Sequence, residues 1–167
     1  MMQPLCFIDG AIMSFQLVGI PFDTFSPLFS LTDPELAALG AQRVVATEKP
    51  GFPCRVSLDD AEIGEELLLL PYEHQPAPSP YRASGPIFVR KAARQRSLAV
   101  DELTDYVLLR LLSVRAYDSA DLMIDQAICD GMDVEASILR MFENLQVAYI
   151  HLHNAMRGCF SCRVNRA

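Results

Sequence analysis

The chain has no hydrophobic run that could cross a membrane as a helix. Leu67-Leu68-Leu69-Leu70 is its longest block of large aliphatic residues, far short of the ~20 apolar positions that a span requires. A membrane is therefore not an expected partner. Basic residues are also in short supply, 14 against 21 acidic ones, for a net charge of −7 and a pI near 4.9. Duplex nucleic acid is held mainly by neutralising its phosphates, so this deficit argues against nucleic acid as a partner. The one basic cluster, Arg90, Lys91, Arg94 and Arg96, has no aromatics interleaved with it and reads as a solvated loop. The acidic run Asp59, Asp60, Glu62, Glu65, Glu66 lacks the residue order of a calcium loop and reads as a solvated turn. Cysteines number only five, an odd count, and no basic region followed by an apolar one opens the chain. A disulfide framework is not expected, and a reduced, cytoplasmic setting is. Internal repeats and low-complexity tracts are missing as well.

What remains is a chain of 167 residues and 18.6 kDa, 51% apolar and 21% charged. That composition excludes global disorder and suits one domain. Met13-Ser14-Phe15-Gln16 resembles a second start site. Residues 1–12 are thus expected to be a disordered N-terminal extension ahead of a single domain over 13–167.

Phe15 to Ile20 reads as a strand closed by Pro21. Thr32-Asp33-Pro34-Glu35 is a capping box, with Gly40 placed to end the helix. Gln42 to Thr47 is strand-like, and the prolines of Pro50-Gly51-Phe52-Pro53-Cys54-Arg55 predict a loop. Leu67 to Tyr72 is apolar on both parities, as in a strand covered on both faces. The prolines from Pro71 to Pro86 predict an extended ordered loop, and Ile87 to Arg90 a further strand. Asp101 is placed to cap a helix with a buried stripe of Leu103, Val107 and Leu111. Val114 to Asp118 and Leu122 to Cys129 predict a hairpin about Ser119-Ala120, and Asp133 caps a helix burying Val134, Ile138, Met141, Phe142 and Leu145.

The C-terminal end alternates most clearly. Ala148, Ile150 and Leu152 share one face; Tyr149, His151 and His153 share the other. A five-residue loop over Asn154 to Gly158 pairs His153 with Cys159, His151 with Ser161 and Tyr149 with Arg163. It also places Phe160, Cys162 and Val164 on the apolar side. The fold class that follows is α+β: an antiparallel or mixed sheet with two to three helices mainly on one face.

Four blocks in order carry a resemblance. Pro50-Gly51-Phe52-Pro53-Cys54-Arg55-Val56-Ser57-Leu58, Tyr72-Glu73-His74-Gln75-Pro76, Pro80-Tyr81-Arg82, and His151-Leu152-His153-Asn154-Ala155 with Gly158-Cys159-Phe160 resemble the signature blocks of domain-of-unknown-function family 1203, a set of small bacterial proteins. The resemblance spans about Ser14 to Ala167. It implies one bacterial domain and brings no mechanism or cofactor with it.

Three kinds of chemistry are open to the residues themselves. Cys159 beside His153 is a candidate thiol–imidazole pair, Cys159 as nucleophile and His153 as base. His151 and His153 on one strand face, with His74, use all three histidines of the chain and are a candidate zinc set for a hydrolase-like site. Arg55 and Arg82, in proline-stiffened loops beside Ser57 and Tyr81, suit recognition of a carboxylate or phosphate. Cys159-Phe160-Ser161-Cys162 matches C-x-x-C, but on a strand its thiols face opposite ways, which excludes a thioredoxin-like role. The preferred expectation is a pocket for a small polar or anionic molecule lined by Arg55, His74, Tyr81, Arg82, His151, His153 and Cys159. The alternative is a protein–protein interaction module in which these residues are structural. Neither cofactor nor oligomeric state is specified by the sequence.

Overall fold

Period-two alternation in the second half of the chain builds most of the first of two five-stranded sheets, and the proline-rich middle builds most of the other. The computed structural model describes residues 7–8 and 11–167, with side chains from 13 onward. The strands are β1 (Phe7–Ile8), β2 (Ala11–Ile12), β3 (Phe15–Val18), β4 (Gln42–Val45), β5 (Pro53–Cys54), β6 (Asp59–Asp60), β7 (Glu66–Gln75), β8 (Ala83–Arg90), β9 (Leu111–Tyr117), β10 (Met123–Asp130), β11 (Tyr149–Asn154) and β12 (Phe160–Arg166). The helices are α1 (Asp33–Ala38), α2 (Asp105–Leu108) and α3 (Val134–Phe142). One five-stranded sheet runs β10-β9-β11-β12-β3 and is antiparallel throughout. The other, β4-β7-β8-β5-β6, is mixed because β5 runs parallel to β8. The fold is α+β, with ten of its strands divided between these two sheets and β1 and β2 forming a separate pair. The expected N-terminal extension lies mostly outside the described residues; within it, β1 and β2 pair antiparallel.

One face of the first sheet is apolar for the reason the alternation gives. Leu112, Val114, Ala116, Ile150, Leu152, Cys162 and Val164 are buried against Val134, Ile138, Met141 and Phe142 of α3. Helix α3 stops at Phe142, so Leu145 is 79% exposed and does not extend the stripe. The helix expected from Asp101 shrinks to the four residues of α2. Asp101 itself adopts φ 59° and accepts the Phe15 N–H with its side chain, while Leu111 opens β9. Long-range pairing has overridden a helical period there. The capping box forms as read: Thr32 Oγ1 accepts from Glu35 N, and Gly40 takes φ 71° just past α1.

Strands β7 and β8 run through the prolines that predict a loop. Pro71 pairs with Pro86 in the ladder, and only residues 76–82 connect the two strands. Leu67 and Leu68 are both fully buried on opposite faces of β7, in two different apolar clusters.

The C-terminal hairpin departs from the expected register in a way that decides the site. Asn154 N–H donates to Cys159 O at 2.9 Å and Gly158 N–H to Asn154 O at 2.8 Å. The loop is therefore one residue shorter, and Gly158 closes it at φ 75°, a conformation glycine adopts without cost to a Cβ. His153 then opposes Phe160, not Cys159. A bulge follows: Leu152 opposes Cys162, which leaves Ser161 as the extra residue. Beyond it His151 opposes Arg163 and Ile150 opposes Val164, so the expected faces return. The bulge is held by the Tyr106 hydroxyl, which donates to Ser161 O at 3.1 Å in a fully buried setting. Replacing Tyr106 by Phe is expected to cost about 1–2 kcal/mol in urea denaturation, because that carbonyl loses its buried partner.

Candidate functional site

The one-residue slip sorts the candidate residues into two groups. Phe160 crosses to the imidazole side, and Cys159 moves to the side of Asn154. The Phe160 ring stacks on His74 at 5.2 Å between centroids and meets His151 edge-on at 5.1 Å and His153 at 5.7 Å. His74 comes from β7 of the second sheet and reaches within 5.0 Å of the His153 ring, so the histidines gather where the sheets meet. Phenyl, not open space, lies among them. Among the described residues no three His, Cys, Asp or Glu side chains form a group that could hold a metal ion.

The thiol–imidazole pair does not form. His153 Nδ1 lies 2.9 Å from Gly158 O, and a carbonyl only accepts, so Nδ1 carries the proton. His153 Nε2 is buried with no partner, and the Cys159 thiol donates instead to Arg157 O. Burial pushes His153 down to about 4, and the charges of Arg115, His74 and Arg55 act in the same direction. His151 goes down to about 3, first through burial, then through His153 and Arg163, with lesser contributions from His74 and Arg115. The register explains the two arginines: Arg115 on β9 and Arg163 on β12 stand on either side of His151. Tyr81 reaches this cluster only at its edge, through a ring contact with Tyr117 at 6.2 Å, and is 39% exposed. Arg82 is at the surface in an ion pair with Glu73. Arg82→Ala is expected to change stability by less than about 0.5 kcal/mol in urea melts.

Arg55 and Cys159 stand elsewhere, at a cavity of about 680 Å³ between the second sheet and the hairpin end of the first. Leu69, Pro86 and Phe88 form one wall, and Leu111, Asn154 and Cys159 part of the opposite one. Arg55 is only 3% exposed. Its Nε donates to Phe160 O at 2.8 Å and its Nη1 to Pro53 O, but it has no ion pair among the described residues. Contrast Arg90, flanked by Asp59 and Glu65, and Arg110 in the same cavity, held by Asp60 at 2.6 Å. Arg157 at the rim is exposed and likewise has no ion pair among the described residues. Asn154 Oδ1 is buried without a hydrogen-bond partner.

Sequence reasoning missed Asn154, Arg157 and Arg110 as cavity residues, because a hairpin register one residue different puts Asn154 beside Cys159. It missed Arg115 because the β9–β11 pairing is non-local, and it set Arg163 opposite Tyr149, whereas the bulge brings it opposite His151. Cys162 is buried in the core, and burial raises its thiol to about 12, so the C-x-x-C does not act as a pair. The four cysteines of the described residues are free.

Taken together these features define a two-sheet α+β domain with an arginine-floored cavity at the seam of its sheets. The family model described as "Protein of unknown function (DUF1203)" matches residues 51–166, and the chain belongs to that family. The match takes in all four resembling blocks apart from Pro50 and leaves residues 1–50 and 167 outside. Neither a curated protein nor a solved structure matches the chain. No helix among the described residues is long and apolar enough to cross a membrane.

Proposed function

We propose that the chain binds a small anionic molecule in the cavity at the sheet seam. Arg55 is its principal contact, and Asn154, Arg157 and Cys159 stand beside it. One observation carries this reading: a guanidinium is buried at the cavity without a carboxylate. Burying a charge that nothing neutralises costs several kcal/mol, and an anion entering from solvent removes that cost. Two backbone carbonyls already fix the plane of the guanidinium, so its remaining N–H groups are pre-oriented for a carboxylate or phosphate oxygen. The volume is within the range of small-molecule sites.

Cys159 serves here as a reporter, since it lines the same cavity. Iodoacetamide labelling of the native protein, read by peptide mass spectrometry, tests the proposal without any substitution. Saturating 3-phenylpropanoate is expected to slow alkylation of Cys159 at least fivefold and leave that of Cys129, on β10, unchanged. Equal protection of both thiols, or of neither, would falsify the assignment of the cavity.

A further inference from the structure

Resting on that reading, we infer that the anion is the single carboxylate of a molecule with an apolar body and a neutral hydrogen-bond donor next to the carboxylate. A 2-hydroxy acid and an N-acylated amino acid with an aliphatic or aromatic side chain both have this chemistry.

Three independent features of the cavity carry the assignment. The first is its charge. Of the cavity's arginines, Arg110 is neutralised by Asp60 and Arg157 is exposed at the rim, which leaves Arg55 as the one buried cation without a carboxylate. Glu48, also at the rim, forms no ion pair among the described residues and repels a second negative charge. One buried positive charge matches one negative charge, so a monoanion fits and a di- or polyphosphate does not.

The second is the apolar part of the lining. Leu69 and Phe88 supply it on the wall from the second sheet, and Leu109, Leu111 and Met156 on the side of the first. Leu109 is 60% and Met156 86% exposed, so apolar surface stands open to water here until something covers it. A ligand of carboxylate size alone would leave that surface wet, whereas an aliphatic or aromatic side chain removes it from water.

The third is Asn154. Its Oδ1 is buried and unpartnered on the wall that also carries Cys159. A buried amide oxygen without a donor is an unmet hydrogen bond, and an O–H or N–H on the ligand meets it. The donor is neutral, because an ammonium in the same cavity as Arg55 would place two buried like charges together.

Calorimetric titration at pH 7 with four probes tests this: 3-phenyllactate, 3-phenylpropanoate, lactate and inorganic phosphate. Phenyllactate is expected to bind at least fivefold tighter than phenylpropanoate, which lacks the hydroxyl. It is expected to bind at least tenfold tighter than lactate, which lacks the ring, and phosphate is expected to be weakest. Asn154→Ala brings phenyllactate and phenylpropanoate to equal affinity without abolishing either. N-acetylphenylalanine, titrated alongside, distinguishes the two sources of the donor: the tighter of it and phenyllactate identifies which is used. Phosphate or phenylpropanoate binding the unsubstituted protein as tightly as phenyllactate, with Cys159 protected, overturns the ligand class and leaves the anion site standing. No heat and no protection with any of the four overturns both.

Discussion

Lowering the pH from 7 to 5 is expected to destabilise the folded chain by on the order of 4 kcal/mol, before most carboxylates begin to titrate. His151 and His153 are the source, being 3% and 1% exposed with depressed basicity. In the unfolded chain each imidazole takes up a proton near pH 6.5; in the folded chain His153 does so only at about 4 and His151 at about 3. Between those limits the unfolded chain binds more protons. Stability is therefore complete above pH 6.5 and is lost as pH falls toward 4 and then 3, at roughly 2 kcal/mol per histidine by pH 5. Arg115 and Arg163 flank His151 and Phe160 fills the space among the rings, so a charged imidazole finds no counter-ion there. Urea midpoints at the two pH values measure the effect, and His151→Gln is expected to remove about half of it. Identical midpoints at pH 7 and 5 would mean that these rings are not buried as described.

Gly19→Ala is expected to destabilise the fold by about 3 kcal/mol or more. A Cβ on Gly19 would lie 2.1 Å from Val56 O and 2.9 Å from Arg96 O, both backbone atoms of neighbouring segments. Those segments are tied to this point: Gly19 N–H donates to Arg96 O, Arg96 N–H to Val56 O and Ile20 N–H to Arg55 O. The clash thus cannot be relieved by turning a side chain, and relief by moving the backbone shifts Arg55. Chemical denaturation measures the loss, and whatever folded protein remains is expected to bind 3-phenylpropanoate more weakly. Gly85→Ala is the control, since a Cβ there meets nothing within 4 Å. A Gly19→Ala variant as stable as that control would show that Val56 and Arg96 do not pack against Gly19 as described.

The two predictions concern residues of different legibility. Alternation over Tyr149 to His153 identified a strand with its histidines on one side, because a period of two survives whatever the strand pairs with. The capping box at Thr32 and Glu35 and the hairpin of β9 and β10 were legible for the same reason, each being set by residues close in sequence. Register was not. It turned on Gly158 closing a loop one residue shorter and on Ser161 bulging, a choice that Tyr106, far away in sequence, helps to fix. That single residue of slip exchanged Cys159 for Phe160 beside the imidazoles. Arg55 was legible as an anion-binding candidate from its stiff loop, whereas Arg82, in a similar loop, pairs with Glu73. Only tertiary structure separates those two, because the difference is whether a carboxylate is within reach.

An unneutralised guanidinium at the sheet seam is the claim on which the functional account stands. Calorimetric titration of 3-phenylpropanoate into the native chain and into Arg55→Met, at pH 7 and low salt with both proteins confirmed folded by their melting curves, tests it most directly. The account predicts saturable, single-site heat in the native chain and at least a tenfold weaker affinity in Arg55→Met. Equal affinity in the two proteins would contradict it.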